Sequence, residues 1–254
     1  MRVGFVGAGN MAAAMARGWA AGDGGPEAML FCDLDRDRAE AIARDVSGDV
    51  RASLPELAKD SDVLVLAVKP GALQEVAEEL EGQASALISI LAATSTVRIA
   101  EAFPDVPALR VMPNQPVEVR RGVMCYVAAE GIPEGLLAKL LELLEPLGEL
   151  IPLQEQLMDP AMAIMSSSPA YIALVAEALA RGGEREGLDP KLAGELVAGA
   201  LAGTAELLRR RDPAMIRDAV ASPGGATEAG LARLEGVVED AFVNAVNASL
   251  ERFR

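Results

Sequence analysis

The first six residues, MRVGFV, are apolar apart from Arg2, and no polar alternation interrupts them. Such continuous apolar character fits a parallel strand covered on both faces. A glycine-rich turn and a small-residue helical stretch follow, and the cadence then repeats. MLFCD (Met29 to Asp33) predicts a second strand with a helix after it through Ala43. DVLVLAVKP predicts a buried strand from Asp62 to Val68 that Pro70 terminates. Further strands are expected at Ala86 to Leu91 and Ala108 to Pro113, separated by a helix near Val97 to Ala102. The last two are expected at Arg121 to Ala129 and Gly148 to Leu153. Strands alternating with helices predict an α/β fold with an open, mostly parallel sheet.

The pattern changes at about Gln154. Asp159-Pro160, Asp189-Pro190 and Asp212-Pro213 each place an acceptor at a helix N-cap with proline at the first helical position. Each pair opens an Ala/Leu-rich helical pattern. The chain is therefore expected to divide into residues 1–153, an α/β domain, and residues 154–254, an all-helical domain. IMSSSPAYIALVAEALA is apolar on too many sides for a helix at a monomer surface. In a domain this small, the expected cover is a second copy of the chain, which makes the protein at least a homodimer.

Composition narrows the chemistry. Hydrophobic residues make up 51% of the 254 residues but aromatics only 3%, which suits close-packed helices and α/β units. A formal charge of −15 argues against nucleic acid or an anionic membrane as partner. No run of about 20 apolar residues is expected to span a membrane. The N-terminus enters a strand pattern without a signal peptide. Cys32 and Cys125 are far apart and fit reduced thiols better than a disulfide framework. Together these predict a cytoplasmic protein. The chain has no histidine, so a histidine relay, a triad or a His-ligated metal site is excluded, and no metal is expected.

Gly7-Ala8-Gly9-Asn10-Met11-Ala12 reads G-x-G-x-x-A, directly after a strand and opening a helix. The first glycine permits the turn, the second lets backbone approach a pyrophosphate, and Ala12 allows close helix–strand packing. In this context the motif predicts dinucleotide binding; the plainer reading is a tight turn. Asp33, at the end of the second strand, stands where an acid holds a ribose 2′-OH and favours NADH. Arg36 and Arg38 follow closely and could instead clamp the 2′-phosphate of NADPH. A helix N-cap at Asp33 or Asp35 is the third reading. Ala67-Val68-Lys69-Pro70 closes a strand at the carboxyl edge of the sheet, where ligands of such folds bind. Asn114, between Pro113 and Pro116, could orient a ligand or make a turn of its own.

AVASPGGATEAGL (Ala219 to Leu231) interrupts the helical half. Proline stops one helix, the glycines free the backbone, and Thr227 can cap the next. The same geometry leaves N–H groups free for a carboxylate or phosphate. Ser166-Ser167-Ser168-Pro169 is expected to break the long apolar helix, either to free polar groups or as a simple kink.

With these pieces in order, the chain resembles the pyrroline-5-carboxylate reductases end to end. The matching segments are GFVGAGNMA, LAVKP, RVMPNQP, QLMD, SPAY and PAMIRDAVASPGGATEAGLARLE. The resemblance implies a Rossmann-type doubly wound domain followed by an all-helical dimerisation domain. It implies reduction of the cyclic imino acid L-1-pyrroline-5-carboxylate to L-proline with NADPH or NADH, the last step of proline biosynthesis. It further implies dimers assembled into a ring such as a decamer. Cofactor contacts would come from Gly7 to Ala12 (Gly7, Ala8, Gly9, Asn10, Met11, Ala12), Asp33, and Ala67, Val68, Lys69 and Pro70. Substrate contacts would come from Ser222, Gly224, Gly225, Ala226 and Thr227, with Ser222 and the Thr227 hydroxyl in catalytic roles. The family usually carries Ser-Gly-Ser-Gly-Pro-Ala-Tyr where this chain has Met165 to Tyr171, and the extra serines leave a different cyclic imine open as the substrate. A cyclic imine can arrive protonated, so a chain without histidine can reduce it by orientation alone. A hydroxyacid dehydrogenase would want a base, often a lysine on the interdomain helix. None occurs between Gln154 and Gly187. A regulatory protein that binds the nucleotide without turnover would have no need of the Ser-Pro-Gly-Gly segment.

Overall fold

The computed structural model describes residues 1–80 and 82–252. Its eight strands are β1 (Arg2–Val6), β2 (Ala28–Cys32), β3 (Asp49–Val50), β4 (Val63–Leu66), β5 (Leu87–Ser89), β6 (Ala108–Pro113), β7 (Gly122–Ala128) and β8 (Gly148–Pro152). They form one sheet in the order β3-β2-β1-β4-β5-β6-β7-β8. All neighbours are parallel except β6 and β7, which pair antiparallel. The connection from Asn114 to Arg121 explains the exception, since it is too short for the crossover that parallel pairing requires.

Both faces of the sheet are covered, as the unbroken apolar strands predict. On one face Val3, Phe5, Phe31, Val65, Ile88 and Val111 bury against α1 (Asn10–Ala20), α2 (Arg36–Val46) and α6 (Glu134–Leu144). Phe5 stacks on Phe31 with ring centroids 5.0 Å apart. Trp19 of α1 donates from Nε1 to the Leu143 carbonyl at 2.8 Å, which satisfies the one polar atom of a buried indole. On the other face Val6, Leu30, Leu64, Leu66 and Leu87 pack on α3 (Leu54–Lys59), α4 (Leu73–Leu80) and α5 (Thr96–Ala102).

The chain falls into two compact units, Met1–Ser167 and Ser168–Glu251. The sequence placed the boundary near residue 153, where the composition changes. Beyond that point α7 (Met158–Met165) still packs with the sheet, because Met158 and Met162 bury against Met112 and Cys125. Asp159 and Pro160 lie inside the first turn of α7 rather than opening it. Asp189 and Asp212 do cap their helices, accepting from Lys191, Leu192 and Ala214 N–H groups.

The second unit consists of α8 (Ser168–Arg185), α9 (Pro190–Leu208), α10 (Pro213–Val220), α11 (Ala226–Leu234) and α12 (Val237–Glu251). Tyr171 ties α8 to α12 through Ser249 Oγ at 2.9 Å and a tilted ring contact with Phe242. Among the described residues, Ala193 is the only fully buried one in these five helices. Ile172, Leu174, Leu179, Leu196 and Val243 are more than half exposed. The stretch Glu155–Arg185 is, by length and composition alone, apolar enough to cross a membrane, against the expectation from sequence.

Candidate active site

Gly7, Ala8 and Gly9 make the whole connection between β1 and α1. Gly7 has φ +98°, and a Cβ there would lie 2.8 Å from the Ala67 carbonyl oxygen, so glycine is required twice over. Its N–H donates to the Cys32 carbonyl at 2.8 Å, and the Ala8 N–H donates to Asp33 Oδ2 at 2.6 Å. Gly9 is different. A Cβ on it would meet only the Ala67 carbonyl oxygen at 4.0 Å. Packing therefore does not demand glycine at this position; its missing side chain leaves open space beside the backbone.

Gly9 caps α1 without a side-chain bond, and the first turn carries no acidic residue. The N–H groups of Asn10, Met11 and Ala12 have no intrahelical acceptor and carry the positive end of the helix dipole. Ala12 itself is buried in the sheet-facing core. The Ala67 N–H donates to the Val6 carbonyl, and Val68, Lys69 and Pro70 continue outward, with Pro70 starting a single 3-10 turn and Lys69 exposed. Thus Gly7 to Ala12, Asp33 and Ala67 to Pro70 come together at the carboxyl ends of three adjacent strands, the ligand edge of an open α/β sheet. Open space at Gly9 and unopposed N–H groups fit a pyrophosphate.

The Asp33 carboxylate is 12% exposed and accepts from both the Ala8 N–H and the Asp35 N–H. A carboxylate has about four acceptor positions, so a ribose hydroxyl can still be accepted. Asp35, not Asp33, is the N-cap of α2, accepting the Arg38 N–H at 3.2 Å. Arg36 is held by Glu40 at 2.7 Å.

In the second unit, Ser222 to Gly225 form a tight turn between α10 and α11. The Gly225 N–H donates to the Ser222 carbonyl at 2.9 Å, and Gly224 has φ +72°, as the third residue of a type II turn with proline second requires. Two sequence expectations change here. Thr227 does not cap α11; Gly225 does, and Thr227 sits within the first turn. Nor are all the glycine N–H groups free, because the turn uses that of Gly225 and Glu228 Oε2 accepts that of Gly224 at 2.7 Å. The donors left at this helix start are those of Ala226, Thr227 and Glu228. Glu228 escaped the sequence reading, although a glutamate three positions after the cap is a known N-terminal signature.

The Asn114 amide makes two hydrogen bonds within the first unit, as the turn reading expects. Its Nδ2 donates to the Met165 carbonyl at 3.1 Å and its Oδ1 accepts the Val123 N–H at 2.9 Å. Ser166 and Ser167 break the helical run as expected, and Pro169 lies in the first turn of α8, where no N–H is needed. A second buried polar group went unread: Arg110 of β6, 2% exposed, pairs with Glu155, whose Oε2 also accepts from Thr96 N and Oγ1. No metal-binding group of three or more acidic or cysteine side chains occurs among the described residues.

Residues 155–254 match the family described as pyrroline-5-carboxylate reductase dimerisation, and residues 2–93 match NADP oxidoreductase, coenzyme F420-dependent. A pyrroline-5-carboxylate reductase of Synechocystis is 37% identical, covering 99% of this chain and 97% of its own. One of Thermus thermophilus is 35% identical, covering 99% and 97%. The crystal structure of a Plasmodium falciparum pyrroline carboxylate reductase with NADP bound superposes with a TM-score of 0.90 at 27% identity, covering 100% of this chain and 97% of that one. The dimerisation match gives the exposed apolar helices of the second unit their cover, a second copy of the chain. With similarity running through both units at this level, the chain belongs to the pyrroline-5-carboxylate reductase family.

Proposed function

We propose that this protein reduces L-1-pyrroline-5-carboxylate to L-proline, closing proline biosynthesis, with NADH as the favoured donor over NADPH. The observation that carries the reading is the full-length similarity to named reductases, which spans both the nucleotide loop and the Ser222–Thr227 turn.

A nicotinamide cofactor, when bound, would supply the hydride. The chain supplies position. Gly7 to Ala12 would hold the pyrophosphate on the start of α1, Asp33 would receive the ribose, and Ala67 to Pro70 would border the nicotinamide. In the second unit Ser222 and the N–H groups of Ala226 and Thr227 hold the substrate carboxylate, with Gly224 and Gly225 setting the turn. The Thr227 hydroxyl hydrogen-bonds the ring nitrogen and passes it a proton from water. No strong protein acid is needed, because the imine protonates readily, and orientation of this kind is worth several kcal/mol.

The homodimer is taken to assemble further into a ring such as a decamer, and the protein to work in the cytoplasm, without membrane or nucleic acid as partner. Two thiols with no disulfide between them support the reducing compartment. The apolar stretch from Glu155 is assigned to the partner copy rather than to lipid.

The test is loss of the reduced-nicotinamide absorbance by purified protein with pyrroline-5-carboxylate and each cofactor in parallel. Imine-dependent oxidation is expected. Cofactor binding without oxidation would overturn the substrate assignment and direct attention to other cyclic imines.

A further inference from the structure

Resting on that reading, we propose that Asp35 is the residue that sets the cofactor preference of this chain, by neutralising the one guanidinium placed to meet a 2′-phosphate. The adenosine end of the nucleotide edge is built by the end of β2 and the start of α2. Three arginines lie near it, and each is already engaged by carboxylate. Arg38 Nη2 is 3.2 Å from Asp35 Oδ2, and Nη1 is 3.9 Å from Asp33 Oδ1. Arg36 is paired with Glu40. Arg17, on the far side of the same cleft, is held by Asp45 at 2.9 Å and Glu118 at 3.1 Å.

The cleft has a volume of about 430 Å³ and runs from Gly9 and Asn10 to Arg38 and Arg17. Arg38, which lines this cleft, is itself faced by two carboxylates, Asp35 and Asp33. A 2′-phosphate brings close to two further negative charges. It would have to take Arg38 from Asp35 and sit near Asp33 as well. A ribose 2′-OH meets no such opposition. Asp33 is held in place by the Ala8 and Asp35 N–H groups, and its substitution would disturb the glycine loop. Asp35 is the position where charge can change while the fold stays. Its fold role is to cap α2, and asparagine caps equally well.

The experiment uses the purified full-length dimer without imine substrate, so cofactor selection is read apart from catalysis. Nicotinamide fluorescence titrations give the Kd of NADH and NADPH, and competition with adenosine 2′-monophosphate and adenosine 5′-monophosphate isolates the phosphate position. Wild type is expected to bind NADH more tightly. Asp35→Asn should tighten NADPH and adenosine 2′-monophosphate about fivefold, the scale of one partly exposed charge pair, while NADH stays within about twofold. Adding Arg38→Ala should abolish the gain. Asp35→Ser, which also caps, should behave like Asp35→Asn. A wild type that binds NADPH more tightly, or variants that move both cofactors equally or neither, would overturn the proposal. Binding of NADH with this selectivity but no turnover of the imine would leave the proposal standing and remove the reductase reading. Binding of neither nucleotide would remove both.

Discussion

The Arg110 guanidinium, buried in the middle of the sheet, is paired with the Glu155 carboxylate on the segment that leads into α7. Glu155 in turn accepts two hydrogen bonds from Thr96 at the start of α5, so one carboxylate joins β6, α5 and the chain entering the second half. Arg110 has few other partners: its Nε and Nη2 make no hydrogen bond, and Asp159 lies 3.9 Å from Nη2. Removing Glu155 leaves the buried cation only the more distant Asp159 carboxylate as counter-charge. Glu155→Ala is expected to lower unfolding free energy by about 3 kcal/mol at fixed protein concentration, as seen when one partner of a buried pair is deleted. Glu155→Gln, which keeps the acceptor for Thr96, should cost less. Denaturant midpoints read both; equal stability of all three proteins would show that the pair holds nothing.

The two glycines of the nucleotide loop should separate folding from binding. Gly7→Ala forces a side chain into a left-handed conformation and against the Ala67 carbonyl. It is expected to lower Tm and weaken NADH together. At Gly9 a methyl group has room in the free protein. Gly9→Ala should leave Tm unchanged and weaken NADH by about tenfold, near 1.4 kcal/mol. Calorimetry and fluorescence titration on the same samples measure both. A drop in Tm for Gly9→Ala, or intact NADH binding, would contradict the contrast.

Thr227 lies in the first turn of α11 with its backbone already helical, so its hydroxyl can be removed without altering the turn. Thr227→Val should reduce kcat by about a hundredfold, a typical contribution of a positioned proton donor, with a smaller change in KM. Thr227→Ser should recover most of the loss. Full kcat in the valine variant would assign the proton step elsewhere.

Burial pushes both thiols upward from the ordinary value of about 9, and for Cys32 the nearby Glu79, Asp33 and Glu56 charges add to it. A group with a raised folded-state value favours the folded protein below the unfolded value and loses that contribution as pH rises through the folded one. Stability is therefore expected to decline above about pH 9. Replacing both cysteines by alanine should flatten this part of the pH profile, and neither thiol should react quickly with maleimide at neutral pH while the protein is folded.

The covered face of the second unit yields a test of assembly. Ile172, Val175 and Leu179 share one face of α8 by their spacing and are exposed in the single chain. Ile172→Glu with Leu179→Glu should shift sedimentation from dimer towards monomer and unfold the helical unit. A wild-type Tm that rises with protein concentration would agree; an unchanged dimer in the double variant would place the interface on other helices.

Much of the first unit was legible in sequence because its signals are long or chemically singular. The apolar strands read directly, and Gly7-x-Gly9-x-x-Ala12 carried its own geometry. β3, two residues long, and the six-residue α3 were too short to show a period. The reversed β7 followed from a connection length that apolar patterning does not record. Arg110 lay in a run read correctly as a strand, but its partner is 45 residues away and no spacing reveals it. In the Ser222–Thr227 turn the glycines announced a break. Which N–H groups stay free depends on the turn closing on Gly225 and on where the Glu228 carboxylate lies, and residue order records neither. The boundary near residue 153 followed composition, whereas Met158 and Met162 follow the sheet they bury against.

The second unit has almost no interior of its own, so its folding is a meeting of two chains. The first unit has a buried core of its own, yet the second presents bare Ile, Leu and Val until another copy arrives. The interval between synthesis and encounter becomes the vulnerable stage of its life. Expression level then governs more than quantity: when copies are scarce, waiting chains are open to proteases and chaperones, and the yield of active enzyme per chain made falls with them.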